Sequence, residues 1–238
     1  MFVCFFADDL TRYRPLHAAV LHGHLGWVRS ICDSDQHAIE ARITVNLDTA
    51  LHVAVGTGMA IDIVKYLLNR MSPDQIVVKN SDGNTVLSIA AIAGNMEATK
   101  LLVKKDESLN GVKNNSGWIP LILAAQHKQE EMIDYLLQYS GNIFMPDGNF
   151  STDTICVFFM NLVIGAEFYD LALKLLDYYP NLATMMSSDG DSLLKALAGK
   201  PSSFSSGRTR EFTLRQLVED ICKKILFLLY HLFYFSFV

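Results

Sequence analysis

The sequence predicts an all-α protein built from stacked pairs of helices. Three observations support this prediction: a similar phrase recurs four times, the recurrences are evenly spaced, and each phrase contains apolar residues at helical spacing. The phrases begin near residues 14, 49, 85 and 119. The leucines that anchor them are 35, 36 and 34 residues apart, and they are Leu16, Leu51, Leu87 and Leu121. Such regular spacing indicates repeating structural units.

Each unit is expected to contain an inner helix, a tight turn and an outer helix. Pro15 begins the inner helix of the first unit and Thr49 that of the second. Proline is suited to this place because it is tolerated in the first helical turn. A glycine follows where that helix must stop and a left-handed backbone is favoured. These turn positions are Gly23, Gly58 and Gly94, whereas the fourth unit has Lys128. Short polar stretches, 81–83, 115–117 and 188–190, predict hairpin fingers between units.

The phrases "RPLHAA", "TALHVA" and "IPLILAA" resemble the T-P-L-H-x-A-A phrase of the ankyrin-repeat family, over residues 13–137. The family implies a helical solenoid that binds a partner through its concave face. It also implies that His17 and His52 hydrogen-bond between neighbouring repeats. We therefore expect an all-α ankyrin-repeat solenoid of helix-turn-helix units with short hairpin fingers, comprising four clear repeats and two degenerate ones.

A closer similarity is to plant ankyrin-repeat proteins whose full-length members continue into a C-terminal multi-span membrane domain of the PGG type. The phrases "ARITVNLDTALHVAVGTG" and "EFYDLALKLLDYYPNLA" carry it. This resemblance implies signalling in stress or defence near a membrane. It also implies that the chain is truncated before the membrane domain.

Outside the four clear repeats, the sequence signals for structure are weaker. Residues 1–12 form an N-terminal lead, and residues 13–200 form the repeat domain, with degenerate units near 153 and 190. In the last of these, "DGDSLLKALA" places Leu194 at the anchoring position. A serine-rich linker is expected at 201–210, followed by an amphipathic helix and apolar tail at 211–238.

The tail, "ILFLLYHLFYFSFV", follows Lys223 and Lys224 directly. As a helix its fourteen residues would reach roughly 21 Å, less than the roughly 30 Å of a bilayer core. Three interpretations are open, in order of preference: a truncated ending, peripheral membrane contact through the two lysines and residues 225–238, and a genuine span. The segment could also cap the solenoid. The expected location is the cytosolic side of a membrane, with a soluble cytoplasmic protein as the alternative.

Composition excludes several classes of function. Half of the residues are hydrophobic and 19% are charged, which argues against a disordered chain. The net charge of -5 argues against nucleic-acid binding. From Lys200 onward, however, six basic residues stand against three acidic ones. Four cysteines without paired spacing indicate a reducing compartment.

No catalytic motif is present, and we expect neither enzymatic activity nor a cofactor. Gly56 and Gly58 begin a G-x-G-x-x-G phrase, but Ile61 occupies its third glycine position. His22 and His24 flank a turn glycine and lack a matching carboxylate or cysteine, so no metal site is expected.

The predicted function is a non-catalytic scaffold for a protein partner of unknown identity. Alternatives are a membrane-anchored signalling component and a truncated, non-functional family member. Stacked fingers and inner helices would form one concave surface. Its predicted binding residues are Asn46, Asp48, Asn80, Asp82, Asn114, Asn115, Ser116 and Trp118 from the fingers, and Thr57, Ile92, Gln126 and His127 from the inner helices.

Overall fold

A computed structural model describes residues 9–58, 61–139, 150–199, 220–228 and 230, and it confirms the predicted all-α fold for these residues. The chain divides into two compact units, 1–140 and 141–238. The division falls inside the range 13–200 that the sequence predicts as one repeat domain. Most of the N-terminal lead, the linker at 201–210, residues 211–219 and the end of the tail lie outside the described residues.

Within its described residues, the first unit contains four helix pairs. In chain order they are α1 Arg14–Leu21 with α2 Leu25–Ser34, α3 Ala50–Thr57 with α4 Ile61–Arg70, α5 Val86–Ala93 with α6 Met96–Lys105, and α7 Pro120–Gln126 with α8 Glu130–Leu137. A one-turn helix, Pro73–Ile76, and two 3-10 turns, Gln36–Ile39 and Glu107–Gly111, lie between pairs. The inner helices α1, α3, α5 and α7 each pack against the next, and the outer helices α2, α4 and α6 do the same.

The core lies between the two layers of helices. The four anchoring leucines are at most 1% exposed. Ala54, Ala90 and Ala124 are fully buried, and their small side chains let neighbouring inner helices approach closely. The outer helices contribute apolar faces such as Ile63, Val64, Leu67 and Leu68. Burial of these faces is the main stabilisation available to a repeat that has no core of its own.

The turn within each pair requires a left-handed residue. Gly23, Gly58 and Gly94 have φ of 70°, 68° and 69°. Lys128 takes the same conformation in the fourth pair, with φ of 57°. A non-glycine residue in this region crowds its own Cβ against the backbone. The turn geometry is therefore set by the stacked helices, whichever residue occupies it.

The second unit contains α9 Phe150–Gly165, α10 Tyr169–Tyr178, a 3-10 turn Pro180–Ala183 and α11 Leu193–Ala198. Its turn residue, Glu167, has φ of 68°. Residues 220–228 are helical, bury Ile221 and Ile225, and are tied to α10 by the ion pair between Lys224 and Asp177.

One register prediction in this unit needs correction. Leu194 was expected at the buried anchoring position, but it is 37% exposed, whereas Leu193 and Leu197 are buried. Leu193 and Leu197 are four residues apart and so share one face of α11, which packs against α9. Leu194 points away from that face.

We predict that Lys128→Gly raises the free energy of unfolding by up to about 1 kcal/mol. The substitution relieves a left-handed strain of about 1–2 kcal/mol, and the greater freedom of glycine in the unfolded chain offsets part of it. Urea unfolding checks the change. Lys128→Ala is the matched control, because it removes the lysine side chain but keeps the strain. A Lys128→Gly protein no more stable than Lys128→Ala would contradict the assignment.

Candidate functional site

Three fingers project between the inner helices of the first unit: finger 1 (43–48), finger 2 (80–84) and finger 3 (114–118). Each is a tight turn closed by a backbone hydrogen bond of 2.9–3.0 Å, donated by Leu47, Gly83 and Gly117 to the residue three positions earlier. All three donors have positive φ, of 59°, 77° and 81°. The fingers therefore share one geometry although their residues differ.

A polar side chain at the first turn position stabilises each finger. In finger 2, Asn80 Oδ1 accepts the backbone N–H groups of Asp82 and Asn84, at 3.1 and 2.9 Å. Asn114 Oδ1 accepts two backbone N–H groups of finger 3 in the same way, at 3.0 and 2.9 Å. Thr44 Oγ1 accepts the N–H of Asp48 in finger 1, at 3.0 Å. These side chains act as part of the turn.

The same asparagines also join each finger to the preceding one. Asn80 Nδ2 donates to Asp48 Oδ1 at 2.8 Å. Asn114 Nδ2 donates to Asn84 Oδ1 at 3.0 Å. Each side-chain amide thus accepts hydrogen bonds from its own turn through Oδ1 and donates a hydrogen bond to the neighbouring repeat through Nδ2. This double use fixes the spacing between fingers.

Backbone hydrogen bonds reinforce the connection at the finger tips. The N–H of Ser81 donates to the carbonyl of Asn46 at 2.9 Å, and the N–H of Asn115 donates to the carbonyl of Asp82 at 3.0 Å. A Cβ at Gly83 would lie 2.6 Å from the backbone nitrogen of Asn115. Gly83 is therefore required both by its positive φ and by the close approach of finger 3.

This arrangement changes the role of three residues that the sequence assigned to partner contact. Asn80 is only 6% exposed, and Asp48 and Asn114 are half-buried. Their polar side-chain atoms already bond to the fingers, so little of them remains for a partner. Asn80, Asp48 and Asn114 therefore help to build the surface, and whether they also contact a partner stays a prediction.

His52 connects the second inner helix to finger 2. Its Nε2 donates to the carbonyl of Asn84 at 3.2 Å, and its Nδ1 accepts the backbone N–H of Thr49 at 3.3 Å. Those partners fix the neutral tautomer with the proton on Nε2. Burial of the ring lowers the pKa of His52 to about 4, although Asp48 and the Asn84 carbonyl favour the charged form. His17, at the equivalent position, is half-buried, and its ring makes no hydrogen bond within the described part of the chain.

The other predicted binding residues lie along the fingers and inner helices. Five are exposed: Asp82, Asn115, Ser116, Gln126 and His127. Four are half-buried: Asn46, Thr57, Ile92 and Trp118. Together with the fingers they form what we call the finger surface. Whether each of them contacts a partner stays a prediction.

The sequence reasoning missed an apolar row on this surface. Leu21 is 45% exposed, and Val53 and Ile89 are half-buried beside Ile92. A Cβ at Gly56 would lie 3.2 Å from Ile89 Cγ2, so the Ile89 side chain extends over the second inner helix. Aliphatic residues two positions after Leu51 and Leu87, and five positions after Leu16 and Leu87, could have revealed this row. They are Val53 and Ile89, and Leu21 and Ile92.

Comparisons with known proteins identify the repeats. A family model for ankyrin repeats in three copies matches residues 72–147, and a single ankyrin-repeat model matches residues 46–78. Together with the helix pairs and fingers, these matches show that the chain carries ankyrin repeats. Ankyrin repeats are generally non-catalytic interaction modules, and neither matched model describes an enzyme family.

Relatives share the repeats at low identity. The chain is 27% identical over 130 residues to Ankyrin repeat and SAM domain-containing protein 6 of Rattus norvegicus, covering 55% of this chain and 13% of that protein. It is 28% identical to the B-cell lymphoma 3 protein homolog of Mus musculus, covering 56% and 29%. It is 29% identical to Poly [ADP-ribose] polymerase tankyrase of Caenorhabditis elegans, covering 39% and 4%. The chain thus spans under a third of each relative's length.

Two other kinds of site are absent from the described residues. No three histidine, cysteine or acidic side chains gather where they could hold a metal ion. Within the same ranges, no helix combines the length and apolarity needed to cross a bilayer.

We predict that protonation of His52 destabilises the protein in acid. The unfolded chain binds this proton near pH 6.5 but the folded protein only near pH 4, so stability falls as pH drops through that window and then levels off. The expected loss is about 3 kcal/mol. Denaturant unfolding at several pH values measures it.

His52→Gln is the control, because an amide can keep both hydrogen bonds without titrating. Its stability should vary less than that of the wild type between pH 6.5 and 4. The pKa values of Asp33 and Asp35 are lowered, so the pH dependence of stability that these two residues cause lies below this window. Equal pH dependence in the two proteins would contradict the prediction.

Proposed function

We propose that the finger surface binds a protein partner and that the chain acts as a non-catalytic interaction scaffold. The observation that supports this most directly is the rigid ladder of fingers, which holds exposed polar tips beside an apolar row. Asn46 and Asp82 are bonded side by side, with Asn46 Nδ2 donating to Asp82 Oδ2 at 3.0 Å. Neighbouring tips therefore present a fixed pattern of donors and acceptors.

The composition of the surface suits a protein. Apolar and aromatic residues supply most binding energy at interfaces, while a polar rim supplies orientation. Ile89, Ile92 and Trp118 are half-buried, so a partner can cover their remaining area without a large loss of side-chain entropy. Asp82 and Asn115 stand at the rim and are exposed.

We predict that the double variant Asp82→Ala/Trp118→Ala loses partners that the wild-type chain captures from a lysate, as identified by mass spectrometry. The reason is that it removes a rim carboxylate and an aromatic anchor from the finger surface. Its circular dichroism should remain helical. The matched control is Glu107→Ala/Tyr178→Ala, which removes an exposed acid and an exposed aromatic side chain elsewhere. Loss of the same partners in the control, or retention in the finger variant, would contradict the proposal.

A second candidate is attachment to the cytosolic side of a membrane, with a soluble cytoplasmic protein as the alternative. The helix at 220–228 buries Ile221 and Ile225 but leaves Leu226 and Phe227 58% and 61% exposed, and Tyr230 is 64% exposed. Lys223 is exposed beside them, and an uncharged aromatic sequence follows at 231–238. Aromatic residues with adjacent lysines favour an anionic bilayer surface.

The resemblance to plant ankyrin proteins supports placing this membrane role in stress or defence signalling, at the plasma membrane. The evidence for this placement is the similarity of the phrases "ARITVNLDTALHVAVGTG" and "EFYDLALKLLDYYPNLA" to those proteins. The relatives described above are animal proteins.

We predict that the full chain co-sediments with phosphatidylserine vesicles and that Phe227→Ser/Tyr230→Ser weakens this several-fold. Both residues are exposed, so the change should spare the buried face of the helix. Leu21→Ser/Trp27→Ser is the control, because it removes comparable exposed apolar area from the first unit. A wild type that stays in the supernatant would argue for the soluble alternative, and equal co-sedimentation of the wild type and both variants would contradict the role given to Phe227 and Tyr230.

A further inference from the structure

A groove on the outer-helix side of the first unit is a candidate for a second interaction surface. It lies between α4 and α6 and has a volume of about 340 Å³. Its lining combines three lysines with an apolar floor: Lys65, Leu68 and Asn69 from α4, and Leu101, Lys104 and Lys105 from α6. The finger surface is formed by other elements.

The equivalent position between α2 and α4, which we call the first groove, contains a carboxylate that pairs with the cation of the next helix. There Asp33 accepts a hydrogen bond from Tyr66 Oη at 3.0 Å and forms an ion pair with Arg70. The guanidinium carbons of Arg29 and Arg70 lie 5.5 and 5.2 Å from the centre of the Tyr66 ring. The hydrogen bond from Arg70 lowers the pKa of Asp33. This groove supplies its own carboxylate.

The repeat register shows what the second groove lacks. Helices α2, α4 and α6 have equal lengths, so Asp33 of the first groove corresponds to Asn69 of the second. By the same register, Arg70 corresponds to Lys105. The cation is kept, but the carboxylate that neutralises it is replaced by an amide.

The lysines of the second groove are available. Lys65 is paired with Asp62 at 3.9 Å, and both side chains are more than half exposed. Within the described residues, Lys104 and Lys105 take part in no ion pair. Both lie in the last turn of α6, where a positive charge stabilises the helix and the ammonium groups stay in contact with water.

We propose that the groove between α4 and α6 binds an acidic peptide segment of a partner protein. A partner carboxylate takes the place that Asp33 fills in the first groove, and an adjacent apolar side chain lies on Leu68 and Leu101. The apolar floor favours a peptide over a bilayer, because headgroups on a flat surface do not reach a floor between two helices.

The test is fluorescence anisotropy with a labelled peptide of alternating glutamate and leucine, at low salt, against the full chain. A peptide with glutamine in place of glutamate is the chemical control. Lys104→Gln should weaken binding of the glutamate peptide several-fold, and added salt should weaken it further. Lys113→Gln, at an exposed lysine directly before finger 3, should leave it unchanged.

Asn69→Asp is the sharpest variant, because it restores the carboxylate that the first groove contains. It should weaken peptide binding several-fold while the helical circular dichroism stays the same. The finger variant Asp82→Ala/Trp118→Ala should bind the peptide like the wild type, which separates this proposal from the finger surface. Equal binding of the glutamine peptide, equal effects of Lys104→Gln and Lys113→Gln, or binding of phosphatidylserine vesicles or inorganic phosphate that Lys104→Gln weakens as much as it weakens peptide binding would overturn it.

Discussion

The structure of the first unit depends on the hydrogen bonds that asparagine side chains make between neighbouring fingers. A single helix pair cannot bury its own apolar face, so the repeats must stack, and the stacking needs a register. Asn80 and Asn114 supply it by closing their own turn with the side-chain oxygen and reaching the preceding finger with the side-chain nitrogen. A buried amide with all its partners contributes little net energy but is costly to leave unpaired. Misaligned fingers would therefore be strongly disfavoured.

The repeated core could be predicted from the sequence, but the sequence did not reveal which polar residues build the turns and which are exposed at their tips. Anchoring leucines and turn glycines recur at nearly constant spacing because every repeat solves the same packing problem. Asn80 and Asn115 look alike in the sequence, yet one is buried in the turn and the other is exposed at the tip. That distinction depends on which atoms of the next finger lie within hydrogen-bonding distance. The left-handed backbone of Lys128 is likewise imposed by the stacked helices, since its residue type does not favour it.

The apolar row on the finger surface was missed for a related reason. Partly buried aliphatic residues such as Val53 and Ile89 have the same appearance in a sequence as core residues. Only the solvent exposure of one helix face separates them.

The stacked arrangement leaves two different surfaces, a finger surface of fixed polar tips beside apolar residues, and a lysine-lined groove between outer helices. On the proposed function, two such surfaces allow the scaffold to hold two partners at once.

The most direct test of the finger ladder is hydrogen exchange at the backbone amides of Ser81 and Asn115. Both residues have exposed side chains, but their N–H groups bond to the preceding finger at 2.9 and 3.0 Å. In the wild-type protein we expect both amides to be protected, and Asn80→Ala should greatly accelerate exchange at Ser81 while amides in the leucine core stay protected. Exchange at Ser81 and Asn115 as fast as in an unstructured chain, with or without Asn80, would contradict the account.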